Sequence, residues 1–153
     1  MWRDVARLLS GKSAADAVIA LTDVYTGSQD FADAQDAKQK MQAWVGDEPR
    51  FYPHVALHDF EAWLLPYWSD IQKIAGSSRA PPGPNPEAVN HGKPPAHRLQ
   101  EVFRTGSKGK TYVKPRDAAR ILRDQDLTVA ARACPELKEF LNTLLNLCKA
   151  DEI

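Results

Sequence analysis

The apolar positions of the first sixty-five residues change period several times. From Met1 to Leu9 they recur at helical spacing, with Trp2, Val5, Ala6 and Leu9 on one face and Gly11 behind them as a stop. Ala17 to Leu21 is an unbroken apolar run without alternation, the pattern of a strand buried on both faces of a parallel sheet, and it breaks at Thr22-Asp23. After a polar loop containing Gly27, Asp30 is placed to cap a helix in which Ala34, Ala37, Met41, Trp44 and Val45 keep helical spacing; Gly46 and Pro49 end it. Phe51 to Leu57 reads as a second strand and Phe60 to Leu65 as a short apolar helix close behind it. Strand, helix and strand at this spacing predict a βαβ unit with parallel strands and a right-handed crossover.

The second half has a different texture. Residues 77–95 hold six of the 11 prolines, which predicts a loop of polyproline character. Its length exceeds ordinary connections, so it is either functional or mobile. Helices are predicted over Ala96–Arg104, Asp117–Arg123 and Leu127–Ala133, with a basic, glycine-containing loop over Thr105–Pro115. A last helix starts at Pro135 and carries Leu137, Phe140, Leu141, Leu144, Leu145 and Cys148 as one stripe. The fold class is α/β: a small parallel-sheet βαβ core with a helical C-terminal half, over one domain spanning 1–153.

Composition narrows the class further. A chain of 153 residues suits one domain with a sizeable core, and 43% apolar content excludes a disordered polyelectrolyte. Two cysteines are too few for a disulfide framework or a cysteine-built zinc site. No apolar run approaches the ~20 residues that span a bilayer, and Met1-Trp2-Arg3-Asp4 lacks a signal peptide's apolar core, so no membrane partner is expected and a reduced cytoplasmic compartment is the default. The formal net charge of zero hides an asymmetry: residues 1–76 carry 11 acidic and 7 basic side chains, whereas residues 77–153 carry 9 and 13. Such a chain can set a basic surface against a polyanion while an acidic centre holds a cation; the plain alternative is a mixed surface.

Ligands of an open parallel sheet sit outside the carboxyl ends of its strands. Asp23 lies at that end of the first strand, and His58, Asp59 and Glu61 at that end of the second. Adjacent strands run about 4.8 Å apart, so Asp23 and an acidic group of the 58–61 turn can approach one cation, Mg²⁺ being the ion that carboxylates and water prefer. The alternative is that Asp23 caps a turn while Glu61 favours a helix dipole. A basic cluster of Lys93, His97, Arg98, Lys110, Tyr112, Lys114 and Arg116 suits phosphate, unless it is only a solubilising surface. Gly106-Ser107-Lys108-Gly109-Lys110-Thr111 mimics a P-loop, but Arg104 stands where its first glycine belongs and a helix precedes it. His54 and His58 span about 13 Å on a strand, too far for one zinc ion. Cys134, before Pro135 in an apolar setting, reads as core or helix start rather than nucleophile.

Six segments stand in the order seen in one family: Leu21-Thr22-Asp23-Val24-Tyr25, Leu57-His58-Asp59-Phe60-Glu61-Ala62, Pro86-Glu87-Ala88-Val89-Asn90, Pro95-Ala96-His97-Arg98-Leu99, Tyr112-Val113-Lys114 and Cys134-Pro135. From about Val18 to Leu145 the chain resembles the family called domain of unknown function 4276, which is in turn similar to the toprim-like proteins. The resemblance implies a compact α/β domain with Mg²⁺-dependent action on phosphodiesters of nucleic acids, an ATPase partner and a setting in prokaryotic defence clusters. It implies a catalytic centre of Asp23, His58 and Glu61, with Asp23 and Glu61 holding the metal, and a second cluster of His97, Arg98, Tyr112 and Lys114 facing phosphate or nucleic acid.

The chain departs from the family pattern in three places. A first strand ending in glutamate is missing, since the first glutamate is Glu48; Tyr25 stands where a second aspartate belongs; and His97 replaces a lysine. One aspartate and one glutamate hold a divalent ion weakly unless substrate completes the shell. The departures are therefore expected to mean an N-terminally truncated fragment, a strand supplied by a partner, a homo-oligomer covering the open edge, or a non-catalytic binding or regulatory module.

Overall fold

The computed structural model describes residues 2–25, 30–89 and 92–153. Gly27 and Asn90 fall outside the described residues, as does the side chain of Trp2. Helix α1 (Trp2–Leu8) precedes strand β1 (Val18–Val24), which is joined through helix α2 (Ala34–Val45) to strand β2 (Phe51–Leu57). The two strands pair in parallel from Val18 beside Phe51 to Val24 beside Leu57, the βαβ unit that the apolar pattern predicts. A 3₁₀ helix, Phe60–Tyr67, follows directly and runs into α3 (Trp68–Ala75). The C-terminal half is α4 (Pro95–Thr105), α5 (Lys114–Leu122), α6 (Leu127–Ala133) and α7 (Pro135–Leu147).

Alternation along the strands separates two cores. Val24, Phe51 and Val55 pack with Val5 and Leu9 near α1 and with Ala37 and Met41 of α2. Ala56, on the opposite face, joins the larger core of the 3₁₀ helix and α3 to α7, including Leu64, Ile71, Leu99, Phe103 and Ile121. The 3₁₀ segment is apolar on every side and correspondingly buried, with Ala62, Trp63, Leu64, Leu65 and Tyr67 inside.

Several expectations shift. Strand β1 runs on to Val24, so Asp23 lies within it rather than beyond its end. Burial on both faces does not hold for β1: Leu21 is 45% exposed, because helices α2 and α7 lie over β2 and leave β1 at the margin. Asp33, not Asp30, caps α2: it is extended and its side chain accepts the Asp36 N–H at 2.8 Å, while the Asp30 carbonyl accepts Lys40 Nζ. Trp44 stays exposed against Phe31, since the inward stripe runs through Ala34, Ala37, Met41 and Val45 and leaves it at the edge. On α7 only the first turns are covered; Leu144, Leu147 and Cys148 run past the core into solvent. Cys134 is fully buried at the start of that helix, where burial pushes its thiol up to about 12.

The described residues of the proline-rich 77–95 segment are anchored rather than loose. Trp68 Nε1 donates to the Arg79 carbonyl at 2.7 Å, and Val89 is buried. A short 3₁₀ turn, Pro86–Ala88, sends Glu87 inward, where it accepts from Trp63 Nε1 at 3.1 Å and from the Glu136 N–H at 3.2 Å. That second bond matters because α7 begins after Cys134, which supplies no side-chain cap. The same need recurs. Helix α4 begins after Pro94, and α5 after Val113, again without side-chain caps from those residues. Asp59 accepts the Ala96 N–H for α4, and Asp117 accepts the Val113 N–H at 2.8 Å for α5.

Replacing Glu87 by alanine orphans an indole N–H and a helix-start amide together. We expect Glu87→Ala to lose about 1–3 kcal/mol in urea denaturation, and Glu87→Gln, which keeps one acceptor, to lose less. An unchanged midpoint in the alanine variant would remove the cap from the account of the fold.

Candidate functional site

Parallel pairing sends both strands out of the sheet in one direction, with Asp23 beside Ala56 and Val24 beside Leu57. The residues that follow, Tyr25 (φ 73°) and His58 (φ 70°), both take left-handed backbone conformations, which side-chain-bearing residues adopt at a cost and which concentrate at functional turns. Their rings lie 5.3 Å apart, and the His58 N–H donates to the Val24 carbonyl at 2.7 Å, extending the ladder by one bond. This turn directs Asp59 and Glu61 into the interior, where both are buried. The His58 ring is buried too; Nδ1 has no partner, and burial lowers its tendency to take a proton.

Glu61 is completely enclosed, and an enclosed carboxylate is tolerated only when paired and hydrogen-bonded. Its partners come from the start of α5. Lys114 Nζ lies 3.0 Å from one carboxylate oxygen and 3.2 Å from the other, and the Tyr112 hydroxyl donates to Glu61 at 3.4 Å. Burial and the facing Glu61 push the Tyr112 phenol up, so it stays a donor at ordinary pH. The Tyr112 ring meets Phe103 edge-on at 5.3 Å, and the ammonium of Lys114 sits 5.5 Å from the Phe60 ring centre.

The ammonium of Lys114 also favours ionisation of Asp23 and Asp59, so three carboxylates share one cation. Asp23 is raised nonetheless, mainly by partial burial. Asp59 accepts the Ala96 N–H through both oxygens at 3.2 Å, which holds it down; burial first, and then the charges of Glu61 and Asp23, push it up to about 6.

Asp23, His58 and Glu61 thus lie at the carboxyl ends of the strands near Lys114, with Asp23 exposed and His58 and Glu61 buried. Tyr112 and Lys114, expected beside His97 and Arg98 on a phosphate-facing surface, turn instead onto Glu61. His97 is exposed on α4, and Arg98 Nε donates to the Lys93 carbonyl; among the described residues neither bonds to the rim carboxylates. Asp59 and Phe60 complete the cluster, beyond the catalytic set that the resemblance implies. A signal lies in the sequence: Pro94-Pro95 opens a helix with no polar cap, so its first amides call for water or an acceptor from elsewhere in the chain.

To hold Mg²⁺ here, Glu61 would have to release Lys114. Among the described residues no group of three or more His, Cys, Asp or Glu is placed to hold a metal ion, and both Glu61 oxygens are taken by an ammonium.

Asp59 makes stability depend on pH in a definite direction. Its carboxyl titrates near 3.9 when unfolded and about 6 when folded, so the folded state holds the extra proton between those values. Stability contributed by this group is present below about pH 4 and falls by on the order of 3 kcal/mol as pH rises through 6. We expect the fall, read as the difference in melting temperature between wild type and Asp59→Asn across pH 4–7, to belong to the wild type alone.

No curated protein and no solved structure matches the chain. A family model described as domain of unknown function 4276 matches residues 2–145. That span takes in the strand pair, the rim with its Lys114 brace, and the helices capped by Asp59 and Glu87. The chain belongs to the domain of unknown function 4276 family.

Proposed function

We propose that this chain is a nucleic-acid-binding module that meets phosphates with the basic surface of residues 93–120 rather than with its acidic rim. The observation that carries the reading is the pairing of Glu61 with Lys114 and Tyr112: the enclosed acid is neutralised internally and fixes the loop ahead of α5. The other end of that loop is fixed as well. Gly106 lies so close to the Ala75 carbonyl oxygen that no side chain fits, and the Lys110 N–H bonds the Phe103 carbonyl at 3.2 Å. Held at both ends, the loop presents Lys110 and Thr111 to solvent beside exposed Arg104, while the exposed Lys108 donates to the Lys73 carbonyl at 2.8 Å. Two open concavities flank it, one of about 280 Å³ lined by Lys93, His97, Gln100, Glu101 and Arg104, the other of about 330 Å³ lined by Lys110, Thr111, Val113, Arg116 and Arg120. Cations fixed by the fold lose little freedom on meeting a phosphate backbone.

Binding of a fluorescent oligonucleotide is expected to weaken steeply with added salt. The pair Arg104→Glu and Lys110→Glu should lower affinity and reduce the salt slope by about one for each phosphate no longer neutralised. Salt-independent binding, or full affinity in the double variant, would reject the basic surface.

A second reading keeps the rim catalytic: a toprim-like phosphodiester-acting centre within the ATPase-linked defence setting that the resemblance implies. It is favoured by Asp59, whose proton leaves near pH 6, beside His58, whose affinity for a proton burial lowers. On this reading, wild-type protein cleaves DNA or RNA when Mg²⁺ is added, chelation stops it, and Asp23→Asn and Glu61→Gln each abolish it. Binding without turnover in all metal conditions decides for the first reading.

A further inference from the structure

Between α2 and α7, at the outer edge of β2, lies a cleft of about 350 Å³ that shares no lining residue with the basic concavities. Helix α2 packs on one face of β2 and α7 on the other, so both layers contribute walls. Lys38 of α2 ties the layers together, its Nζ 2.7 Å from Glu136 and 2.6 Å from Glu139 of α7. His54, only 2% exposed, forms the back of the cleft. Its Nε2 lies 3.0 Å from Thr143 Oγ1, its ring meets Phe140 edge-on at 5.5 Å, and Nδ1 has no partner among the described residues.

Polar groups without partners converge on this space. Gln35, Gln39 and Gln42 form one stripe of α2, and all three line the cleft. Among the described residues the Gln35 and Gln39 amides and the Tyr52 hydroxyl make no hydrogen bond, and Gln42 uses only its Nε2, on the Gly46 carbonyl at 2.8 Å. In a parallel pair successive residues turn their backbone groups to opposite sides. The His58 N–H on the Val24 carbonyl sets Tyr52 and His54 toward β1, so the Pro53 carbonyl turns outward, also without a hydrogen bond among the described residues. Charge then selects what can enter. The one cation of the cleft, Lys38, faces two carboxylates, and the second oxygen of Glu139, a side chain 57% exposed, accepts no hydrogen bond among the described residues. An anion is therefore disfavoured, and a neutral ligand rich in donors is favoured.

From this convergence we propose that the cleft binds a purine nucleoside of the adenosine type, an amino-bearing base on a sugar without phosphate. A glutamine amide matches the adjacent donor and acceptor of adenine with two hydrogen bonds. The half-buried Tyr52 supplies an aromatic face for the base, and the Pro53 carbonyl and the Gln42 side-chain oxygen supply further acceptors for its amine. The free oxygen of Glu139 suits a sugar hydroxyl. The volume stands at the small end of the roughly 300–1,000 Å³ typical of small-molecule sites, which suits one nucleoside. The inference does not rest on nucleic-acid binding, since a nucleoside has no phosphate for the basic loop to neutralise.

The test is isothermal titration calorimetry of the full chain with adenosine. Saturable binding to one site is expected, with a Kd on the order of 0.1 mM. Inosine, which lacks the amine, and adenosine monophosphate, which brings a phosphate toward Glu139, should each bind more weakly by about tenfold or more. Gln39 is exposed on α2, where alanine is a good helix former, so Gln39→Ala should keep the wild-type melting temperature while losing affinity by about fivefold or more. Tyr52→Leu should lose affinity similarly by removing the stacking face. The pair Arg104→Glu and Lys110→Glu should bind adenosine as wild type does. Absence of saturable binding to wild type, equal binding of inosine or of the monophosphate, or undiminished binding by either cleft variant overturns the proposal. So does loss of adenosine binding in the basic-surface pair, since the ligand then belongs to the loop.

Discussion

The helical half of this protein rests on one requirement: amide groups at a buried helix start need acceptors, and three of its helices begin after residues that cannot provide them. Pro94, Val113 and Cys134 stand at the cap positions of α4, α5 and α7. A helix opening without side-chain acceptors either faces water or finds a polar group from elsewhere. Here Asp59, Asp117 and Glu87 fill the role, all buried. Two of the three reach across the chain, Asp59 to α4 from the strand rim and Glu87 to α7 from the proline-rich segment. Buried acids that look like a catalytic inventory in the sequence are in large part the joints of the fold.

Glu61 differs from those three because a lysine, and not an amide, answers it. Lys114 is half exposed, so the pair is screened on one side and closed on the other. Removing two charges from water costs more than an ion pair usually returns, and such pairs persist where they fix a geometry. The geometry fixed is the turn from the basic loop into α5, through a lysine at the first residue of the helix and a tyrosine two positions before it. The rim thereby acts on the basic surface mechanically, whatever chemistry either performs.

The parallel βαβ unit, the order of the helices and the convergence of Asp23 with the 58–61 turn are legible in the sequence, because they follow from periodicity and from strand direction. What is not legible depends on tertiary choice. Asp30 and Asp33 have equal propensity to cap, and it is Asp33 that the fold sets on the Asp36 N–H. The run Val18–Leu21 looks like a central strand, yet coverage depends on where α7 lands, which composition does not encode. Tyr112 and Lys114 sit in a basic stretch and read as phosphate ligands along with their neighbours; one-dimensional spacing cannot reveal that they point inward at an acid some fifty positions earlier. Pro94-Pro95 and Cys134-Pro135 do carry a readable sign, namely helix starts lacking a polar cap.

The charge asymmetry takes on a specific meaning once the halves are docked. The acidic first half and the basic second half are joined by ion pairs of both polarities: Glu61 to Lys114, and Lys38 to Glu136 and Glu139 at 2.7 and 2.6 Å. Within the second half, Arg116 and Arg120 are engaged by Asp117, and Lys93 by Glu101. Subtracting these leaves His97, Arg98, Arg104, Lys108 and Lys110 as basic or titratable groups without a carboxylate partner among the described residues of α4 and the loop behind it. Net charge says nothing of this, because a neutral total is compatible with any arrangement. In this stretch the loop keeps exposed cations, while at its far end Lys114 is committed to the acidic rim and Arg116 and Arg120 to Asp117.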